Sequence, residues 1–463
     1  MASIVVGGGG VIGIATALML ARDGHRVTVL ETNPEPPPAD PIKAWTGWSR
    51  SGVAQFHQPH ILLPGFRETL RRELPDLLDR LGEAGCRSHS LVDPLPPNIP
   101  DREPRPGDER FRNLLGRRPV IEAVFALAAE AEPGVTVHRG ARIAGLLTGD
   151  PLRPETPHVT GVRTDEGVDL PADLVVDATG RRTSSVDWLD AIGARKPQIE
   201  VEDHGFAYYS RYFTGPKRPA VTAPLLSPIG SFSLLTLPAD NNAWSVTVFG
   251  TSRDPVLKAV RDPQRFTKLV QACPLHRQWL NGTPLTGVLP MAGISDSYRR
   301  FMVDGDPVVT GFVAVGDAWA CTNPSAGRGL SIGLIHAAAL RATVRERPAD
   351  PVAFQLGWDD RTDRQVTPFY RGQLAIDRAR SAEMAALQDG LEPPAPDPLR
   401  TRLVRTAGHD ATAFRAVIEL SGCLVRPDEL FARPGLVAGL DEYGPLPTRP
   451  GPDRGQLVAL LSS

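Results

Sequence analysis

The chain has little cysteine, few aromatics, almost no net charge and no long apolar run. Each shortage narrows what it can be. The four cysteines, Cys86, Cys273, Cys321 and Cys423, lie far apart and form no Cys-x-x-Cys pair, so neither a zinc site nor a redox dithiol is expected. Cysteine use this sparse leaves a cytoplasmic setting as the default. Net charge is -2 over 463 residues, which provides no basic footprint for nucleic acid. No stretch approaches the roughly 20 apolar residues of a transmembrane span. The apolar run at 4–21 lacks a positively charged lead and is full of glycine, unlike a signal peptide. Internal repeats are missing too. What remains, 41% hydrophobic and 22% charged, is a globular composition with length for two or three domains.

Glycine, by contrast, is concentrated where it matters. Ser3-Ile-Val-Val-Gly-Gly-Gly-Gly-Val-Ile-Gly13 places Gly8, Gly10 and Gly13 as G-x-G-x-x-G between a strand at 4–6 and a helix at 14–22. Asp23-Gly-His25 ends the helix, and a second strand at 27–30 delivers Glu31. The glycines serve a tight turn, a diphosphate lying against bare backbone, and close helix–strand packing. The helix start at Val11 and Ile12 offers free N–H groups to phosphate. Glu31 can accept both ribose hydroxyls and would repel a 2′-phosphate. These residues predict a dinucleotide but do not separate NAD from FAD.

Downstream, 32–40 is proline-rich loop and 63–84 carries leucines at helical spacing. The segment 93–108, rich in proline and charge, is expected to be an exposed connection. A helix is predicted over 118–131, and strands over 135–138, 141–147, 159–163 and 174–177, with a hairpin-like turn at 165–167. From 206 to 250, Tyr, Phe, Val and Thr dominate, as in an antiparallel sheet. Another buried strand falls at 312–315. Helices and proline-rich breaks alternate after 351.

Two later motifs carry chemistry. Gly311-Phe-Val-Ala-Val-Gly316-Asp317 is followed by Pro324-Ser-Ala-Gly327-Arg328-Gly329-Leu330 and an apolar helix. A carboxylate at a strand end, such as Asp317, can bind a polyol hydroxyl or simply cap a helix. N–H groups at Gly327 and Gly329 suit an oxygen that gains negative charge. Asp173-Leu-Val-Val-Asp177-Ala-Thr179-Gly180 is a further strand closed by Asp and Gly.

In this order, the three motifs resemble FAD-dependent monooxygenases with the p-hydroxybenzoate hydroxylase fold. Arg50-Ser-Gly-Val-Ala-Gln-Phe-His-Gln-Pro-His60-Ile-Leu-Leu is similar to the Arg-x-Gly-Val-Pro-Gln segment of the family's epoxidase-like branch. Arg118-Pro-Val-Ile-Glu122 resembles its Arg-Pro-x-Leu-Glu helix start, and Tyr208-Tyr-Ser-Arg211 its Tyr-x-Ser-Arg strand. The resemblance spans about 1–345. The chain departs from it at Ala54, Phe56 and Gln58, where the family pattern has Pro, Gly and His.

The resemblance implies an α/β fold: a discontinuous Rossmann-like FAD-binding domain (GR2 type), an inserted antiparallel β-sheet substrate domain and a C-terminal helical segment. The expected boundaries are 1–84, 115–190 and 305–350 for FAD, 85–114 and 191–304 for substrate, and 351–463 for the helical region. Gly8, Gly10, Val11, Ile12, Gly13 and Glu31 would hold the ADP half of FAD. Arg50 and Arg118, with Arg117 an alternative, would reach the diphosphate. Ile143, Thr179, Gly180 and Gly316 would lie near the cofactor, and Asp317 would bind the ribityl chain. Pro324, Gly327, Arg328, Gly329 and Leu330 would face the isoalloxazine.

Function follows as an expectation: NAD(P)H, a transient reductant, reduces FAD, O₂ adds at flavin C4a, and the hydroperoxide oxygenates an apolar or aromatic small molecule by hydroxylation or epoxidation. His60, Tyr208 and Arg211 are the catalytic candidates, and His57, Tyr209 and Trp244 further pocket candidates. A monomer or homodimer is expected, with no metal. A dehydrogenase or saturating reductase of the geranylgeranyl type is the rival enzyme, and a non-catalytic flavin-binding sensor the rival of another class. A halogenase is disfavoured, because no Trp-x-Trp-x-Ile-Pro run exists.

Overall fold

A computed structural model describes all residues except 154, 204, 347–349, 445–448 and 463. At its centre five parallel strands pair in the order Phe312–Ala314, Leu174–Asp177, Ser3–Gly7, Arg26–Glu31, Val135–Arg139. Helices cover both faces of such a sheet, so its central strands carry apolar runs such as Ile4-Val-Val6 and Leu174-Val-Val176. The helix Val11–Arg22 packs against Arg118–Ala131 and Gly329–Glu346. Gly7 is in register with Asp177 and with Leu30, and Asp177 with Ala314. Parallel pairing therefore brings the Gly8 turn, Glu31, Asp177 and Asp317 to one edge, the carboxyl edge, where open α/β sheets bind ligands.

The second sheet is antiparallel, in the order Leu226–Ile229, Phe232–Pro238, Ala243–Thr251, Phe206–Thr214, Thr283–Pro284, with Leu289–Ala292 also paired to Phe206–Thr214. Its two faces differ. Tyr209 and Phe213, with Val248 and Trp244 opposite, pack on an outer layer of Leu257, Phe266, Leu269 and Trp279. The terminal helix Arg454–Ser462 joins that layer through Leu457 and Leu461.

After Gly329–Glu346, the regular elements among the described residues are all helices. Asp-Pro starts several helices: Asp262, Asp350 and Asp397 each accept from a backbone N–H of the first turn, with proline next in the chain. The acid caps the helix and the proline fills a position that needs no donor. Helices Pro398–Ala407, Ala411–Ser421 and Pro427–Phe431 share a small core of Leu403, Ala407, Ala413, Val425 and Leu430.

Three expectations are corrected. The helix at 63–84 is two helices, Pro64–Glu73 and Pro75–Glu83, because Pro75 lacks an N–H and bars Leu74 from helical geometry. The 93–108 segment is not simply exposed: Leu95 and Ile99 are buried and join Phe111 and Ala411 in one cluster. The turn at 165–167 leads into a short strand, Asp169–Pro171, while Leu174–Asp177 goes on to the parallel sheet. Among the described residues, no helix is long and apolar enough to cross a membrane.

Candidate functional site

The glycine turn is built as tightly as its spacing suggests. A Cβ on Gly13 would lie 1.9 Å from the Gly8 carbonyl oxygen, so helix and strand meet at bare backbone. Gly10 caps the helix with no side-chain acceptor, and no atom lies within 4 Å of where its Cβ would be. That bare helix start is a cradle for a diphosphate. Gly316 lies against Ile12, and Ile143 packs beneath Gly7. Thr179 donates to Asp177 through both its amide and its hydroxyl.

Asp317 opens the next turn. Burial pushes its carboxyl above the usual carboxylate range, against the pull of Arg118, Arg181 and Arg299. It makes no hydrogen bond among the described residues. The helix Gly329–Glu346 begins alongside, with the Gly329 Cβ position 4.0 Å from Asp317 Oδ1. Pro324 and Gly327 bound the short turn before it. A bare helix start and a half-buried carboxylate without a donor among the described residues fit FAD: one could take the diphosphate, the other a polyol hydroxyl. Arg328 is different from its neighbours. Its side chain turns away and donates to the Leu420 carbonyl of the C-terminal helices, which leaves its backbone on the turn.

A buried chain of charges runs below the cradle. Glu31 accepts from Gly9 N at 2.9 Å, from Asn33 N at 2.7 Å and from Arg50. Arg50 also donates to the Gly9 carbonyl and to Glu122. Glu122 takes Arg118 Nε at 2.6 Å, and Arg118 Nη1 reaches His60 Nε2 at 3.0 Å. Burial alone would raise the Glu122 carboxyl, but Arg50 and Arg118 outweigh it and hold it below the usual range. His60 Nδ1 donates to the Gln58 carbonyl, which leaves Nε2 to accept from Arg118. Burial and the Arg118 charge push His60 down to about 3. It is therefore neutral at physiological pH and positions Arg118 rather than supplying a proton. Arg117 points elsewhere, with its guanidinium and amide on Asp240 of the inserted sheet. Glu122 ended a recognised motif, yet sequence reasoning gave it no role.

The strand Phe206–Thr214 divides the other candidates. Tyr208 donates to Asn323 on the turn before the helix Gly329–Glu346, and Ser210 donates to Gln58 Oε1 at 2.8 Å. Arg211 points the opposite way, to the Thr286 carbonyl and Thr267. Strand alternation carries Tyr209 and Trp244 to that outer layer as well. Those three expectations are corrected: Arg211, Tyr209 and Trp244 lie on the face away from the cradle. Residues of the inner face that sequence reasoning missed are Ser210, Thr247 and Tyr212. A cavity of about 320 Å³ is lined by Ser49–Ser51, Val53, Ala54 and Phe56–Gln58 with Leu289 and Pro290. His57 stands edge-on to Trp45 and Phe56 at its wall.

Beside the turn at Asn323–Gly327 lies a second polar cluster. Ser325 donates to Asp377, and Gln373 Nε2 donates to its other oxygen at 2.8 Å. Asp296 accepts from Asn323 N at 2.7 Å. Burial pushes Asp377 up to about 7, with Ser325 and Gln373 pulling the other way and Asp296 adding to the rise. A carboxyl raised this way favours the fold below its unfolded pKa, and that contribution is lost as pH climbs to about 7. Asp377→Asn should therefore gain stability over the parent as pH rises, by about 2 kcal/mol between about pH 5 and about pH 8. Melting temperatures of both proteins across that range check it, and a pH-independent difference would refute it.

Residues 3–87 match a family described as FAD dependent oxidoreductase. Protein Rv3254 of Mycobacterium tuberculosis is 28% identical over 379 residues, 74% of this chain and 73% of that protein. Among solved structures, PqsL, a probable FAD-dependent monooxygenase from Pseudomonas aeruginosa, has a TM-score of 0.60 at 16% identity, over 84% of this chain and 97% of that one. The myxobacterial chondrochloren halogenase CndH, an FAD-dependent halogenase, has a TM-score of 0.59 at 18% identity, over 99% and 95%. At such identities these structures share the fold: a parallel, Rossmann-like FAD-binding core with an inserted antiparallel sheet.

Proposed function

We propose that this FAD-dependent oxidoreductase is a monooxygenase, which takes electrons from NAD(P)H and transfers one atom of O₂ to an apolar or aromatic small molecule. The observation that carries the reading is the inner face of the inserted sheet. Tyr208 and Ser210 meet Asn323 and Gln58 there, which closes the sheet over the turns that would face the isoalloxazine. Bound FAD would supply the redox chemistry and the point of O₂ activation.

The chain's own residues do the rest. The Gly10 helix start and Asp317 would hold the cofactor. The main-chain N–H of Gly329 would stabilise negative charge that grows on the ring, whereas that of Gly327 is taken by the Pro324 carbonyl. Tyr208, Asn323 and Asp296 form a hydrogen-bonded brace that fixes this turn against the sheet. A buried sheet above excludes water, which protects an oxygenating site from wasteful side reactions. Phe56 and His57, with Trp45 packed edge-on against His57, give the cavity aromatic edges that favour a planar guest.

The test is oxygen provenance. With labelled O₂, NAD(P)H and a converted compound, the product should carry one labelled oxygen atom. A desaturated or reduced product without label would replace the monooxygenase by a dehydrogenase or reductase.

A further inference from the structure

The turn from Asn323 to Gly327, expected at the isoalloxazine, is held by side chains from outside the expected FAD-binding stretches. On the sheet side, the Asn323 amide oxygen accepts from Tyr208. Its backbone N–H donates to Asp296 at 2.7 Å and its Nδ2 to the Ile294 carbonyl at 3.1 Å. On the other side stands the helix Thr367–Gln388. Its Gln373 and Asp377 are four residues apart and share a face. Ser325 donates to Asp377. Gln373 Nε2 donates to Ser325 Oγ at 2.9 Å and to Asp377 Oδ2 at 2.8 Å. The three side chains form a closed cluster, and all are buried.

Two buried acids of this protein keep different company. Glu122 is bound by two arginines, which can only donate and so lock it as a carboxylate. Asp377 is bound by a hydroxyl and an amide, and among the described residues no arginine or lysine pairs with it. Both partners can serve either protonation state. The hydroxyl donates to a carboxylate or accepts from an acid. The amide does the same by turning over, which presents Oε1 in place of Nε2. Gln373 Oε1 is buried with no donor among the described residues, so that end gives up no bond when the amide turns. Asp377 can therefore gain or lose a proton and keep its anchors.

Charged and titratable groups face Asp377 from the neighbouring elements as well. Burial and Asp296, on the strand Asp296–Arg300, oppose its ionisation, while Ser325, Gln373 and Arg328 favour it. Tyr208 remains a protonated donor, because burial raises its hydroxyl and both acids add to the rise. In a site this dry, a charge on one side of the turn is felt on the other. A carboxylate at Asp377 opposes the negative charge that the Gly329 N–H would stabilise on the flavin, and a neutral acid does not. Coupling of this kind is reciprocal, so negative charge on the flavin raises the proton affinity of Asp377.

We propose that Asp377 is a positioning residue of the cofactor site that also carries a proton for it. Through Ser325 it fixes the turn from the C-terminal helices. As the flavin gains negative charge, a proton passes from solvent to the Asp377 carboxylate. The electrons stay on the flavin, supplied by NAD(P)H in the proposed reaction or by a chemical reductant in its place. This role depends on the turn facing the flavin and not on the fate of O₂.

The test is the flavin midpoint potential of the full, FAD-loaded chain, read anaerobically with a chemical reductant and no substrate, from about pH 5 to about pH 9. Asp377→Asn keeps hydrogen-bonding groups for Ser325 and Gln373 and removes the titration. Its potential should match the parent's at the acid end, where both residues are neutral. It should rise increasingly above the parent's as pH passes about 7, where the parent's acid ionises. Exposed Asp389→Asn, at the end of the same helix, should follow the parent throughout. Ser325→Ala removes a donor to the carboxylate, so the pH window in which the parent's potential falls more steeply should move upward. Parallel curves for parent and Asp377→Asn, offset or not, overturn the proton. A Ser325→Ala curve that overlays the parent's overturns the anchor. Should Asp377→Asn fail to retain FAD, Ser325→Ala alone decides. Because O₂ and substrate are both absent, failure here leaves the oxygen-provenance test standing, and failure there leaves this one.

Discussion

Glu122→Ala should cost the protein about 3–5 kcal/mol of stability, the range for breaking a buried ion pair from one side. Glu122 is the acid that two arginines share: Arg50 binds one of its oxygens and Arg118 the other, and its side chain is fully buried. Removing it leaves two guanidiniums in a desolvated site. Glu31 can balance only Arg50, and neutral His60 cannot balance Arg118. Glu122→Gln should cost less, because the amide oxygen still accepts one arginine. Acid should reproduce part of the effect. A carboxyl held below the usual range contributes stability above that range and loses it as pH falls through its folded value. Chemical denaturation at neutral and mildly acidic pH measures both effects. An alanine variant within about 1 kcal/mol of the parent would show that the arginines find solvent or other partners.

This network shows where sequence reasoning stops. The glycine cradle was legible because its parts are local: Gly8, Gly10, Gly13 and Glu31 lie on one strand–helix–strand unit, and their spacing dictates their meeting. Glu122 meets Arg50 across 72 positions, a pairing that no local pattern reports. Arg211 failed for another reason. The strand Phe206–Thr214 is buried on nearly every residue, so it has no polar–apolar alternation to say which face looks inward. Alternation put Tyr208 and Ser210 on one side and Arg211 on the other, but only the packed outer helices identify the sides. Asp377 was invisible because it comes from the C-terminal helices, beyond the stretch that resembles a family. The break at Pro75 was readable from the sequence and was overridden by the leucine spacing around it.

Asp317→Ala should move cofactor affinity and apoprotein stability in opposite directions. In the folded protein this carboxyl is half-buried, raised by desolvation and without a hydrogen-bond donor among the described residues. Such a group destabilises the protein that carries it, so replacing it with alanine should raise the apoprotein's melting temperature by a few degrees, equivalent to roughly 1 kcal/mol. The same replacement removes the acceptor for the ribityl hydroxyls. Hydrogen bonds to a charged group are worth about 1.5–3 kcal/mol, so FAD should bind roughly ten- to hundred-fold more weakly and be lost during purification. Asp317→Asn should fall between, since its amide oxygen still accepts but carries no charge. A residue that merely caps the helix Gly329–Glu346 would give another pattern: alanine would lower stability, and affinity would fall only with the fold. Fluorescence titration of apoprotein with FAD, beside melting of that same apoprotein, separates the two. A destabilised Asp317→Ala protein with parental FAD affinity would remove Asp317 from the cofactor site and leave it a helix cap.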